Sequence, residues 1–389
     1  MHKRAAIWAL AVTQTLGYAC LYYIFAALVV QWSADLGWSK TTLALGPSLA
    51  ITLASCAAPF AGRLIDRGWS RALLVGGSVV GGIALCGLAV VNTPAQYYGA
   101  WAVLGLAQAS ALYEVCFAFL IRRLGGAARA AIIRVTLVAG FASTLAFPVA
   151  ALVSDAYGWR AVVWLAAGVV LSVQAPLNFW AVSVIRRGEV HDTADETASA
   201  KAALRRALRS GRFWLLGSVL ALLSLNHWML TAFVIPMFAD LGASTGMAVL
   251  AASLVGPAQV AGRFVLMRFD ATFDNWQVLR LCLGGMAVGV GALWLAGAAA
   301  QLVLVFALAQ GAAIGVMTIL RPVLIAQVMG QAGYGAIAGS IQVMPLMAGA
   351  AAPLVGGVLF GVGGAAALIW ASAALITLGF AGTAVLRRL

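Results

Sequence analysis

Of the 389 residues, 63% are apolar and only 9% charged, and the mean hydropathy of +1.01 lies far above that of soluble domains. That balance excludes a soluble globular, fibrous or disordered chain and points to an integral membrane protein. The net charge of +13 does not mark a nucleic-acid surface, because the basic residues flank apolar segments instead of gathering with exposed aromatics.

In chain order, apolar runs predict membrane helices over 5–31, 40–62, 72–92, 97–121, 132–154 and 161–184. A second set follows over 213–239, 246–267, 278–298, 301–326, 336–360 and 365–386. Each is close to the ~20 residues that span a bilayer. The basic start, Lys3 and Arg4 before an apolar stretch, mimics a signal peptide. The stretch runs on to Val30 without a cleavage site, so it is expected to stay as the first helix. Cys20, Cys56, Cys86, Cys116 and Cys282 all lie in apolar segments without metal or redox spacing, and read as small packing residues.

With the N-terminus inside, Lys40 and Arg160 are the basic residues of outer loops and Arg263 and Arg321 lie within helices. The other 20 of 24 basic residues then face the cytoplasm, which sets the orientation with both termini inside. The long polar stretch, 185–212, divides the chain into predicted bundles at 1–184 and 213–389. Its first part, with Glu189, Asp192, Asp195 and Glu196, reads as flexible linker. Ala198 to Arg209 has the spacing and basic face of an interfacial amphipathic helix, either a solvated linker or a site regulated by lipid or a calmodulin-type partner.

The two parts carry a faint repeat. Ala34-Asp35-Leu36-Gly37-Trp38-Ser39 matches Ala239-Asp240-Leu241-Gly242-Ala243-Ser244 at five of six positions with a shift of 205. Both stretches follow the first helix of a predicted six-helix set, as expected for a transporter built from repeats. After the second helix comes Gly62-Arg63-Leu64-Ile65-Asp66-Arg67-Gly68-Trp69-Ser70-Arg71. It resembles the loop signature of the major facilitator superfamily, Gly-x-Leu-x-Asp-Arg followed by glycine and basic residues. The resemblance implies an all-α membrane protein, with twelve transmembrane helices in two pseudo-symmetric six-helix bundles. Gly62, Arg63, Asp66, Arg67 and Arg71 become gating residues. Glycine permits close approach, and the acid can pair with basic groups or a helix N-terminus in a latch that breaks during transport.

Gly37-Trp38-Ser39, Gly158-Trp159-Arg160 and the eighth helix resemble the oxalate/formate antiporter and monocarboxylate transporter branch. Gln259 stands four residues before Arg263, where the monocarboxylate pattern has an aspartate, and the first helix lacks the lysine those relatives carry. The fifth helix lacks the Gly-Pro-x-x-Gly-Gly element of drug/proton antiporters.

Glu114, Arg263 and Arg321 lie deep in apolar segments, where a charge costs about 2.5–3.5 kcal/mol, so they are expected to share an aqueous cavity. Two guanidiniums and one carboxylate suit an anion, because arginine offers paired donors matched to carboxylate or phosphate. Arg263 and Arg321 are therefore candidate substrate ligands, with Tyr22, Tyr113, Gln259, Asn226 and Gln342 as orienting groups. Glu114 is either the proton carrier or one half of a permanent ion pair, and His227 either senses protons or packs as a hydrogen-bonded group. Pro322 after Arg321 marks either a hinge or a packing kink.

The sequence holds no phosphate-binding Gly-x-x-x-x-Gly-Lys-Ser/Thr loop and no His-Glu-x-x-His, so neither ATP-driven transport nor enzymatic catalysis is expected. The expected function is secondary transport of a small organic anion, by proton symport or anion exchange. The alternative is proton-coupled export of a drug-like compound or metabolite. The expected setting is a bacterial-type inner membrane, as a monomer, with no cofactor, metal or nucleic acid. Its partners are an anionic small molecule, protons or a counter-anion, and the lipid bilayer.

Overall fold

The computed structural model describes residues 2–186, 194–269 and 272–389, and all the regular structure among them is helical. Among the described residues ten helices are long and apolar enough to cross a membrane, and two of them, Pro94–Tyr157 and Tyr334–Arg388, are long enough to cross twice, so we number twelve segments. In our labels α1 is His2–Leu36, α2 Lys40–Asp66, α3 Ser70–Ala89 and α6 Trp159–Arg186. Between them, α4 joins Pro94–Ala111 to Tyr113–Leu124, and α5 joins Ala128–Ala139 to Ala142–Tyr157. In the second set, α7 joins Gly211–Ala232 to Val234–Asp240. Then α8 is Thr245–Arg268, α9 Asn275–Ala296 and α10 Leu302–Met329. The final helix, Tyr334–Arg388, is interrupted by non-helical Gly363 and Gly364, which separate α11 from α12. A linker helix, Ala194–Leu208, begins four residues before the predicted amphipathic stretch. Glu189 and Asp192 of the acidic linker lie outside the described residues.

By internal contacts the chain forms two compact units. One comprises Met1–Leu204 with Gln331–Ser340, the other Arg205–Gly330 with Ile341–Leu389. In the first unit α2 and α4 pack with backbones in contact, because at Gly105 a side chain would strike Ala50. The same device serves α8 and α10 in the second unit, where Gly311 lies on Val255 and Gly315 on Gln259. Small residues at such crossings let dispersion forces act over the length of a membrane helix, where no hydrophobic drive brings helices together. Buried aromatics fill one end of the first unit: Trp32 lies edge-on to Tyr97, Trp101 and Trp159, and the Tyr97 hydroxyl donates to the Leu43 carbonyl at 2.8 Å.

The repeat is visible as paired hydrogen bonds. In the first unit, Asp35 at the end of α1 accepts from Trp159 Nε1 at 2.7 Å and Arg160 Nη1 at 3.0 Å at the start of α6. In the second, Asp240 at the end of α7 accepts from the backbone N–H of Ala365 at 2.7 Å at the start of α12. Ala365 lies 205 residues after Arg160, the same shift that relates Asp240 to Asp35. Gly364 makes this approach possible, because its φ of +56° is left-handed and a side chain there would meet the Asp240 carboxylate. Replacing Asp240 by alanine is expected to lower the thermal midpoint in detergent by about 2–4 °C, for a charge-assisted bond of roughly 1–2 kcal/mol. An unchanged midpoint would show that the contact contributes nothing.

Two crossings are broken within stretches that themselves contain no glycine or proline. In α1, residues Tyr18–Tyr22 form a π-helical turn closed by Tyr23 N–H to the Tyr18 carbonyl at 2.9 Å. In α4, Leu112 is extended, with φ −97° and ψ −163°. Two buried glutamines bond across the disturbed backbone: Gln108 Nε2 donates to the Leu21 carbonyl at 2.8 Å, and Gln14 Nε2 donates to the Ala111 carbonyl at 2.9 Å. Irregular backbone at membrane depth persists only where its polar groups find such partners.

Candidate functional site

In the second unit, α8, α10 and α11 carry four of the predicted residues, which make two sets of contacts. Arg263 is buried, 5% exposed, and its Nε donates to the Gly315 carbonyl of α10 at 3.2 Å. Half-buried Gln259 lies one turn earlier on α8, with its backbone against Gly315. Arg321, six residues beyond Gly315 on α10, donates from Nη1 to Gln342 Oε1 on α11 at a long 3.4 Å. Gln342 is itself buried. The helix α10 runs unbroken through Pro322 to Met329, since a single missing donor costs one hydrogen bond and not the whole turn.

His227, on α7, is buried within electrostatic range of Arg321. The Thr231 hydroxyl, one turn on, donates to the His227 carbonyl at 2.7 Å and lies 3.5 Å from its Nδ1. Asn226 is directed elsewhere: its Oδ1 accepts from the Ser372 hydroxyl on α12. Adjacent residues on a helix point about 100° apart, so Asn226 and His227 serve different faces.

In the first unit, Tyr22, Tyr113 and Glu114 meet around the breaks in α1 and α4. Tyr18 is the hub, with its ring 5.7 Å from Tyr22 and 4.4 Å from Tyr113, which stacks on Phe117 at 4.7 Å. Glu114 is exposed, lies within electrostatic range of Tyr18, and makes no hydrogen bond or ion pair among the described residues. The break at Leu112 puts Glu114 in the first turn of Tyr113–Leu124, where the unsatisfied N–H groups and helix dipole favour a carboxylate.

The loop motif builds a third cluster. Asp66 is buried, 5% exposed, and accepts from the backbone N–H groups of Gly335 at 2.8 Å and Ala336 at 2.7 Å, at the start of α11. Gly62 is needed here, because a side chain at that position would overlap the Gly335 carbonyl. Arg122 of α4 donates to the carbonyls of Ile65 and Asp66, holding the end of α2 in place. Arg63 and Arg71 lie over the rings of Phe60 and Phe179, at 4.3 and 5.2 Å. Arg67 is exposed.

Sequence reasoning passed over Tyr18, Gln14 and Gln108 as members of this arrangement. Their signal was polar side chains inside otherwise apolar runs, at helical spacing in Gln14-Tyr18-Tyr22 and without it at Gln108. Its weakness is that tyrosine and glutamine also serve as ordinary packing groups.

The sequence profile of the Major Facilitator Superfamily matches residues 10–344. No curated protein sequence matches the chain. Among solved structures, FucP, a superfamily transporter in its outward conformation, is similar with a TM-score of 0.74 at 14% identity, over 97% of this chain and 98% of that one. The proton:xylose symporter XylE, bound to a bromodeoxyglucose, gives 0.65 at 15% identity, over 100% and 96%. The human organic anion transporter MFSD10 (TETRAN) gives 0.68 at 16% identity, over 98% and 99%.

Proposed function

We propose, for a chain that belongs to the Major Facilitator Superfamily, that it is a secondary active transporter of a small organic anion, a mono- or dicarboxylate. As a superfamily member it is a multi-pass membrane transporter and not an enzyme. The single observation behind the substrate class is that two guanidiniums, Arg263 on α8 and Arg321 on the neighbouring α10, lie within apolar helices of one unit, with Gln259 and Gln342 on adjoining turns or helices. Guanidiniums are expensive in a membrane, and a carboxylate guest offsets that cost with charge-assisted paired bonds. In this reading Arg263 and Arg321 receive the anion, and Gln259 and Gln342 orient it. Tyr22 and Tyr113 supply further polar contacts during the cycle, and Asn226 joins them on release from Ser372.

The transport mode in this reading is alternating access, driven by proton symport or anion exchange. The bundles are 1–184 and 213–389, joined by 185–212. The protein acts as a monomer in a bacterial-type inner membrane with both termini in the cytoplasm. The structural neighbours include a proton symporter and an organic anion transporter, which fits both halves of the proposal at the level of fold. Gly62, Asp66 and Gly335 form the gating contact.

Glu114 carries the proton, and His227 assists. Replacing Glu114 by glutamine is expected to abolish uptake driven by a pH gradient while leaving exchange of substrate across proteoliposomes at equal pH within about threefold. Loss of both would assign Glu114 to substrate binding or folding instead.

A second reading has one specific observation in its favour. The ring cluster of Tyr18, Tyr22 and Tyr113 beside exposed Glu114 suits a cationic, apolar compound exported against protons. Proteoliposomes under imposed pH and anion gradients separate the two. Carboxylate flux that requires Arg263 supports the anion reading, whereas cation efflux indifferent to Arg263→Ala supports the exporter.

A further inference from the structure

The loop after α2 and the linker helix contain charge that the proposed anion site does not use. Arg63, Arg67 and Lys201 line one pocket, together with Asp66, Leu204 and Ala336. All three basic side chains are exposed, and none forms an ion pair among the described residues. The one carboxylate in the pocket, Asp66, is committed to the backbone N–H groups of Gly335 and Ala336. Among the described residues, three cations therefore line the pocket against a single anion that is already engaged. Like charges gathered without a counter-charge repel one another, so an anion entering here is attracted by all three.

Two other features fix what kind of anion fits. The linker helix is seated by close backbone contact, since a side chain at Gly333 would strike the Ala200 carbonyl; Lys201 is thus held over the pocket by the backbone beside it. On the same α2–α3 segment, Phe60 and Trp69 are 62% and 59% exposed, and aromatic rings in such places sit at the depth of lipid headgroups. The stems of these residues line the pocket, and their exposed guanidinium and ammonium heads supply donors of the kind that phosphate oxygens accept.

We propose that Arg63, Arg67 and Lys201 bind the phosphate group of an anionic phospholipid, joining the linker helix to the loop that carries Asp66. The chemistry recognised is the phosphate itself, and the flanking Phe60 and Trp69 favour a lipid headgroup as its source over a soluble phosphate. Occupation of the site would couple the composition of the bilayer to the stability of the Asp66 contact.

The test uses the full-length protein in phosphatidylcholine nanodiscs with and without phosphatidylglycerol, read by thermal midpoint and by lipid adducts in native mass spectrometry. Phosphatidylglycerol is expected to raise the midpoint and to remain bound. The double variant Arg67→Gln/Lys201→Gln is expected to retain it about 25-fold less well, since each basic group near a headgroup is worth roughly a fivefold factor. Arg387→Gln/Arg388→Gln removes the same charge at the exposed C-terminal end and should change nothing. Lys201→Arg should keep binding, which separates lost recognition from misfolding. Competition by inorganic phosphate would support the phosphate site, and protection by inorganic phosphate alone would assign its source to solution. Equal retention of the two lipids, or equal loss in both double variants, would overturn the proposal.

Discussion

Replacing Arg263 by alanine is expected to reduce carboxylate binding by about 100-fold and to abolish uptake, with the protein still folded. The magnitude follows from losing a paired, charge-assisted contact, roughly 3 kcal/mol in a site where water competes poorly. Arg263→Lys should lose most of the same affinity. The Gly315 carbonyl holds Nε of Arg263 at 3.2 Å and so sets the plane of the guanidinium, a constraint that an ammonium group on a flexible stem does not reproduce. The measurement is binding of a panel of small carboxylates by thermal shift, alongside uptake into proteoliposomes. Wild-type affinity in Arg263→Ala would remove the ground for assigning an anionic cargo.

The second large effect is expected at Asp66. Its carboxylate accepts two backbone N–H groups at the start of α11, at 2.8 and 2.7 Å, where the helix dipole adds to the attraction. Removing it in Asp66→Ala leaves both donors unsatisfied and should weaken this contact by about 3 kcal/mol, a shift of roughly 100-fold in the population held together. Asp66→Asn keeps an acceptor oxygen without the charge and should fall between. The change can be read as the rate of maleimide labelling at Ala336→Cys, a position that is 3% exposed, in a background freed of the native cysteines. Labelling should rise at least tenfold in Asp66→Ala. Unchanged labelling, with folding intact, would show that Asp66 does not fasten this end of α11.

The crossings were legible because burial in lipid imposes a long apolar run, and the apolar runs fell where the helices are. The superfamily followed from the residues around Asp66, whose types are those that a tight helix-to-helix contact demands. The partners of Asp66 were not legible: backbone N–H groups have no sequence signature, and Gly335 and Ala336 look like any other small pair. The interruptions of α1 and α4 were hidden for a related reason. Tyr18 to Tyr22 contains no glycine or proline, and the turn is made tolerable by Gln108, a residue 87 positions away. Pro322 gave the opposite lesson, because α10 continues through it despite the missing donor. Glu114 was visible as an expensive charge, but its place at the start of a new helical segment depended on the extended Leu112.

The ties at Asp35 and Asp240 have a consequence for the history of the chain. Each acid reaches a residue 125 positions downstream, to Arg160 in one case and to Ala365 in the other. Whatever insertions and deletions have occurred inside those two stretches, their net length has stayed equal while nearly every side chain changed. A staple that closes a loop of fixed length tolerates new chemistry along the way and penalises a lost or added turn. The two copies have thus drifted as spelling and stayed the same as measure.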